Sequence, residues 1–258
     1  MKKLLLTGSE GYIGTNFQKL YNNQYDIVCV DKKLQTYTEY FVDFEDIDAI
    51  IHLSAISGIA DCEKDYKQTI IDNISGTLHL MKASWAYQIP LLFASSQAAK
   101  TPESGLYALT KKIGEVEAQR YNDIDGKLTC LRFSNVFGGK DYLQTKSSVV
   151  SKFINAKHNK QPLQVNGDGT QTRDFIHVEE LCKALHWFLS NHHSETIYDI
   201  GTGIERTILD LAKMISPEFE CVDSPLVGVK SSIADIELLK KSGLVLDDRL
   251  EEYIKQKG

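Results

Sequence analysis

Six apolar runs of strand length, at 3–6, 27–30, 49–53, 91–94, 128–133 and 197–200, recur along the chain. Their hydrophobicity is continuous rather than alternating. Strands of that kind are buried on both faces, as in a parallel sheet covered by helices on each side. Segments 12–21, 73–87 and 106–121 carry helix patterning between them, and Phe41-Val42 supplies a further short strand. Strand–helix alternation with right-handed crossovers makes an α/β, Rossmann-type, doubly wound parallel sheet. Beyond Phe133 the pattern changes. Residues 135–146 read as loop, 147–157 as helix and Asn166-Gly167-Asp168-Gly169 as a turn. Segments 206–215, 233–241 and 248–255 read as short helices with little strand between them, forming a small lobe over the carboxyl ends of the strands.

A chain of 258 residues with net charge −6 is not a non-specific nucleic-acid binder. No apolar run approaches the roughly 20 residues that span a bilayer. Leu4-Leu5-Leu6 ends at once in Thr7-Gly8, which is a first strand rather than a leader. The five cysteines are scattered without metal-clamp spacing, and Cys29 and Cys130 read as small buried thiols in apolar runs. A reduced, cytoplasmic protein is expected. His192-His193 falls in a polar connection and reads as a solvated loop, so no metal site is expected.

Gly8, Gly11 and Gly14 lie between the first strand and the first helix. Such a turn must be tight, must let backbone approach a pyrophosphate, and must let helix and strand pack closely. The helix N-terminus then offers unpaired N–H groups to phosphate. Asp31 ends the second strand, where a carboxylate accepts from a ribose diol and repels a 2′-phosphate; it can equally cap the turn. NAD is thus favoured, although Lys32-Lys33 next to it would suit NADP. Tyr107 and Lys111 stand four residues apart, on one helix face. Moving a phenol from about 10 to about 7 takes ~4 kcal/mol of phenolate stabilisation, which nearby cations in a desolvated cleft can supply.

Further runs join these in order. They are Asp43-Phe44, His52-Leu53-Ser54-Ala55, Asn73-Ile74-Ser75-Gly76-Thr77, Ala94-Ser95-Ser96, Arg132 through Gly138, and Gly167 through Val178. Over nearly its whole length the chain resembles the extended short-chain dehydrogenase/reductases of the NAD-dependent epimerase/dehydratase family, which act mostly on nucleotide sugars. The resemblance implies a catalytic set of Ser96, Tyr107 and Lys111. It implies cofactor contacts from Gly8, Gly11, Tyr12, Ile13, Gly14, Asp31, Asp43, Phe44, Leu53, Ser54, Ala55, Asn73, Tyr107 and Lys111. Substrate contacts are implied for Ser57, Ser96, Asn135, Arg173 and Lys230, with Asn135 and Arg173 on the diphosphate. Singly, Arg173 can also be read as the partner of Asp174 or Asp168. The implied organisation is an NAD-binding Rossmann core at 1–134, a substrate-lobe segment at 135–169, a return to the core at 170–202, and a small, mostly helical substrate lobe at 203–258.

The chain departs from the family pattern in three places. The interval from Ser96 to Tyr107 is short. Gln97-Ala98 replaces the Asp-Glu pair of the 4,6-dehydratases, which disfavours dehydration. Segment Ser224-Pro225-Leu226-Val227-Gly228-Val229-Lys230 carries no second diphosphate arginine, so Lys230 is the cation there. The expected activity is a nucleotide-sugar epimerase, at C4 through a transient 4-keto sugar. A nucleotide-sugar dehydrogenase or 4-keto-reductase is the alternative within enzymes, and a non-catalytic NAD-binding sensor or scaffold the alternative outside them. A homodimer through 73–87 and 106–121 is implied by the resemblance.

Overall fold

A computed structural model describes residues 1–31, 43–139, 148–223 and 229–257. Strands β1 (Lys2–Thr7), β2 (Tyr25–Val30), β3 (Ala49–His52), β4 (Leu91–Ser96) and β5 (Leu128–Phe133) join Ile197–Ile200 in one six-stranded sheet. The order is Ile197–Ile200, β5, β4, β3, β1, β2. β1 pairs in parallel with β2 on one side and β3 on the other, and β3 with β4. The order therefore reverses at β1, and the carboxyl ends of β1 and β3 flank the crevice where doubly wound sheets bind ligands. Leu4, Leu5, Leu6, Ile50 and Ile51 are each at most 1% exposed, which is why these runs are apolar without alternation. Helix Tyr12–Tyr21 seats Phe17 in the core, and Leu106–Asn122 packs Ala118 and Tyr121 against it. The helix expected at 73–87 is a π-helical stretch, Ile70–Gly76, running directly into Thr77–Ala86.

The chain divides into two compact units, Met1–Arg132 with Cys182–Tyr198, and Phe133–Leu181 with Asp199–Gly258. Residues 170–181 and 199–202, expected in the Rossmann core, group with the second unit. There Phe175–His177 pairs in parallel with Asn135–Phe137, a strand where a loop was expected. Leu163–Asn166 pairs with Phe219–Val222. Arg206–Thr207 and Ser231–Ser232 flank Thr172–Arg173 in a three-stranded sheet. The unit thus carries short strands that its sequence pattern does not display, beside helices Val149–His158, Ile208–Ile215, Glu237–Ser242 and Leu250–Lys257. The helix expected from 206 begins at Ile208 because the Thr207 side chain accepts from the Asp210 N–H and caps it.

Two side-chain expectations are corrected. Cys130 is buried but Cys29 is exposed, because β2 is the last strand of the sheet among the described residues. His192 is exposed, whereas His193 is half-buried against Phe188 and Tyr198 and shares a 2.7 Å hydrogen bond with Thr129. Among the described residues no group of His, Cys, Asp and Glu could hold a metal, and no helix is long and apolar enough to cross a membrane. Phe41-Val42, Lys32-Lys33 and Ser224 to Gly228 lie outside the described residues.

Candidate active site

The turn after β1 is built by backbone proximity. Gly8 has φ +72°, and a Cβ there would stand 2.8 Å from the Ser54 nitrogen, in the loop after β3. A Cβ on Gly14 would stand 2.2 Å from the Gly8 oxygen, so only glycine lets the first turn of Tyr12–Tyr21 sit on the loop. Gly11 is the N-cap and supplies no side chain to the helix N–H groups, with half-buried Tyr12 and Ile13 following it. This is a cradle that Cβ atoms would fill, with uncapped amides at its mouth, and it fits a dinucleotide pyrophosphate. The Asp31 carboxylate accepts from the Ser9 hydroxyl and, at 2.9 Å, from the Glu10 N–H. It therefore caps the turn, with carboxylate lone pairs left for a further donor.

Other expected cofactor residues are placed differently. Asp43 is exposed and caps Phe44–Asp46 through the Glu45 N–H. The Phe44 ring is only 6% exposed and stacks on Tyr87, so its side chain belongs to the core rather than to a ligand face. Leu53, Ser54 and Ala55 are half-buried and hang from Thr7, whose carbonyl and hydroxyl accept from the Leu53 and Ser54 N–H groups. Buried His52 bridges Thr7 and Thr77, and burial pushes its pKa down to about 3, so it is a neutral strut. Asn73, in the π-helical stretch, spends its amide on both backbone groups of Ile56 at 2.8 and 2.9 Å. It shapes the loop that leads to exposed Ser57 rather than presenting a side chain to a ligand.

β4 ends at Ser96, whose hydroxyl accepts from the Ala98 N–H and lies near enough to the Tyr107 phenol to favour its ionised form. Lys111 lies one turn beyond Tyr107 with Nζ 5.8 Å from its ring centroid and donates to the Ala94 carbonyl at 2.7 Å. Ser96, Tyr107 and Lys111 are therefore together. Burial pushes Tyr107 up to about 12, with Ser96 opposing, and brings Lys111 down to about 8. The chain's own groups do not offset the desolvation of the phenolate.

Sequence reasoning missed Glu115. Its side chain is fully buried one turn beyond Lys111 and receives Arg132 at 2.6 and 2.7 Å, Ser95 at 2.7 Å and Lys112 at 3.4 Å. Burial opposes ionisation, but the Arg132 and Ser95 bonds outweigh it and hold the carboxyl below its usual range. Lys111 and Glu115 thus grip consecutive residues of β4, Ala94 and Ser95, immediately before Ser96. Gln97 is 5% exposed and donates to the Arg132 carbonyl.

In the second unit, Asn135 donates through both its N–H and its amide to the Asp174 carbonyl. Arg173 donates Nη1 to the Thr172 and Val229 carbonyls at 2.7 and 3.0 Å. It pairs with neither Asp174 nor Asp168. The buried Asp174 carboxylate, also missed, collects Ser134, Thr202, Gly203 and Ala234 donors, and Asp168 takes the N–H and hydroxyl of Thr170. Arg173 thus carries positive charge without an acidic partner among the described residues, and burial lowers its pKa. Lys230 is exposed, and its carbonyl accepts from the Thr172 N–H.

The NAD dependent epimerase/dehydratase family model matches residues 4–201. A Methanocaldococcus jannaschii protein provisionally named UDP-glucose 4-epimerase is 27% identical, over 98% of this chain and 96% of its own. The ADP-L-glycero-D-manno-heptose-6-epimerase of Nitratidesulfovibrio vulgaris is 26% identical, over 98% and 97%. The solved UDP-N-acetylglucosamine 4-epimerase from Methanobrevibacter ruminantium, in complex with UDP-N-acetylmuramic acid, superposes with TM-score 0.87 at 24% identity, covering 99% of this chain and 96% of that one. At that identity it shows the shared fold. Fold, family resemblance and NAD dependence agree with expectation. The chain belongs to the NAD-dependent epimerase/dehydratase family.

Proposed function

We propose that the chain is a nucleotide-sugar epimerase that inverts C4 through a transient 4-keto sugar. The observation that carries this is the assembled Ser96, Tyr107 and Lys111 set. The helix bearing Tyr107 is tied to the loop beside the glycine cradle, since Asn73 holds Ile56 and reaches the Thr110 hydroxyl at 3.4 Å. NAD, when bound, supplies hydride acceptance and return at C4. Gly8, Gly11, Gly14, Tyr12 and Ile13 would hold its pyrophosphate, Asp31 and Asp43 its adenosine portion, and the backbone at Phe44 and Leu53 to Ala55 would line it.

Tyr107 takes the proton of the C4 hydroxyl, with Ser96 as relay, and returns it after the keto sugar has presented its other face. Lys111, protonated at neutral pH with a pKa of about 8, stabilises the phenolate. The phenol's pKa of about 12 must fall for Tyr107 to act as a base near neutral pH. Arg173, Asn135 and Lys230 hold the diphosphate, and Ser57 contacts the sugar. Gln97, bound to a backbone carbonyl, offers no carboxylate for dehydration. Leu109 and Val116, exposed and seven residues apart on Leu106–Asn122, support pairing of that helix with a second copy. The reading also places the protein in the cytoplasm.

The test is to incubate the protein with UDP-glucose, UDP-N-acetylglucosamine, dTDP-glucose or GDP-mannose and catalytic NAD, following anomeric protons by NMR. A C4-inverted sugar without net NADH is expected. Stoichiometric NADH instead assigns a dehydrogenase, and silence across the panel removes the epimerase reading.

A further inference from the structure

The three-stranded sheet of the second unit brings two arginines face to face. Arg206 stands directly opposite Arg173 in the antiparallel pairing of Arg206–Thr207 with Thr172–Arg173. Residues opposite one another in a sheet project from the same face, and like charges there repel unless something between them is negative. Asp248 answers Arg206 at one nitrogen only, Nη2. The other, Nη1, is buried and has no hydrogen-bond partner among the described residues. A buried guanidinium N–H without an acceptor is costly and rare in native structures, and calls for an acceptor. Across the strand, Arg173 spends only Nη1 on carbonyls, which leaves its Nε and Nη2 donors for a ligand.

We propose that Arg206 is the second guanidinium of the diphosphate site, acting with Arg173 across the strand pair. The inference rests on the nucleotide-sugar reading given above and adds to it a residue that no motif marks. Guanidiniums carried by two directly opposed residues match the two phosphoryl groups of a nucleoside diphosphate, each phosphoryl accepting from one planar fork. Arg206 thereby supplies the cation that Ser224 to Lys230 lacks as an arginine.

The experiment titrates the NAD-loaded protein calorimetrically with UDP, dTDP, ADP and GDP, then with the monophosphate of whichever diphosphate binds tightest. Arg206→Met is expected to weaken the diphosphate by about 10- to 100-fold, as loss of hydrogen bonds to a charged group does, with a smaller loss for the monophosphate. Asp248→Asn, which breaks the ion pair but keeps the arginine, is expected to bind within about threefold of wild type on the same reasoning. Arg206→Lys keeps the charge without the fork, and covers the case in which the Met variant does not fold; an intermediate loss is expected. If Arg206→Met and Arg206→Lys bind the diphosphate like wild type while Arg173→Met does not, Arg206 is only the partner of Asp248 and the proposal falls. Equal losses for diphosphate and monophosphate also overturn it. If the wild-type protein binds none of the four diphosphates, the nucleotide-sugar reading falls with it.

Discussion

Replacing Glu115 by Gln removes the negative charge from a buried ion pair with Arg132. Glu115 is fully buried and Arg132 only 16% exposed at the side chain, so water cannot take over the guanidinium. Breaking a buried ion pair from one side typically costs about 3–5 kcal/mol. For a chain of this size that lowers the melting temperature by roughly 6–9 °C. The sign with pH follows from the depressed carboxyl: the contribution is intact above the unfolded pKa of about 4.3 and is lost as pH falls through the lower folded value. Thermal unfolding followed by circular dichroism at pH 7 measures it, with Arg132→Met and the double variant beside it. The double variant should lose less than the two single losses combined, because both single changes break the same buried ion pair. A fall of less than about 2 °C for Glu115→Gln, or additive losses in the cycle, would refute the reasoning.

Tyr107→Phe should keep NAD affinity within about twofold while turnover drops by about 10²–10⁴, the range of a lost general acid–base; NADH fluorescence titration and the NMR assay read the two separately. In Lys111→Met the pH at which activity rises should move upward by at least about one unit, because the phenolate loses its nearest cation; an unmoved profile speaks against that role. Gly14→Ala drives a Cβ to within 2.2 Å of the Gly8 oxygen, so helix or turn must shift. A loss of about 1–3 kcal/mol in stability and weaker NAD binding are expected by urea unfolding and fluorescence titration.

The six-stranded sheet was legible because both its faces are covered, which forces uninterrupted apolar runs such as Leu4–Leu6 and Ile50-Ile51. The two-residue strands around Arg173 were not, since each exists only through partners dozens of residues away and carries no periodicity of its own. The glycine turn and the Tyr107/Lys111 spacing are local, and their geometry follows from neighbours in sequence. Glu115 is different. It shares a helix face with Lys111, but its meaning depends on Arg132 and Ser95, which only folding brings to it. Phe44 shows the converse: its motif position says ligand, while its ring is core. The phenol's value of about 12 reflects burial among the chain's own groups, a quantity that sequence spacing does not carry.

Reaction at C4 by internal hydride return is the central claim, and isotope retention tests it most directly. A nucleotide sugar that responds in the NMR panel is prepared with deuterium at C4 and converted with catalytic NAD in ordinary water. The account predicts an inverted C4 that still carries its deuterium. Inversion with hydrogen from water at C4, or inversion at another carbon with C4 untouched, would contradict it.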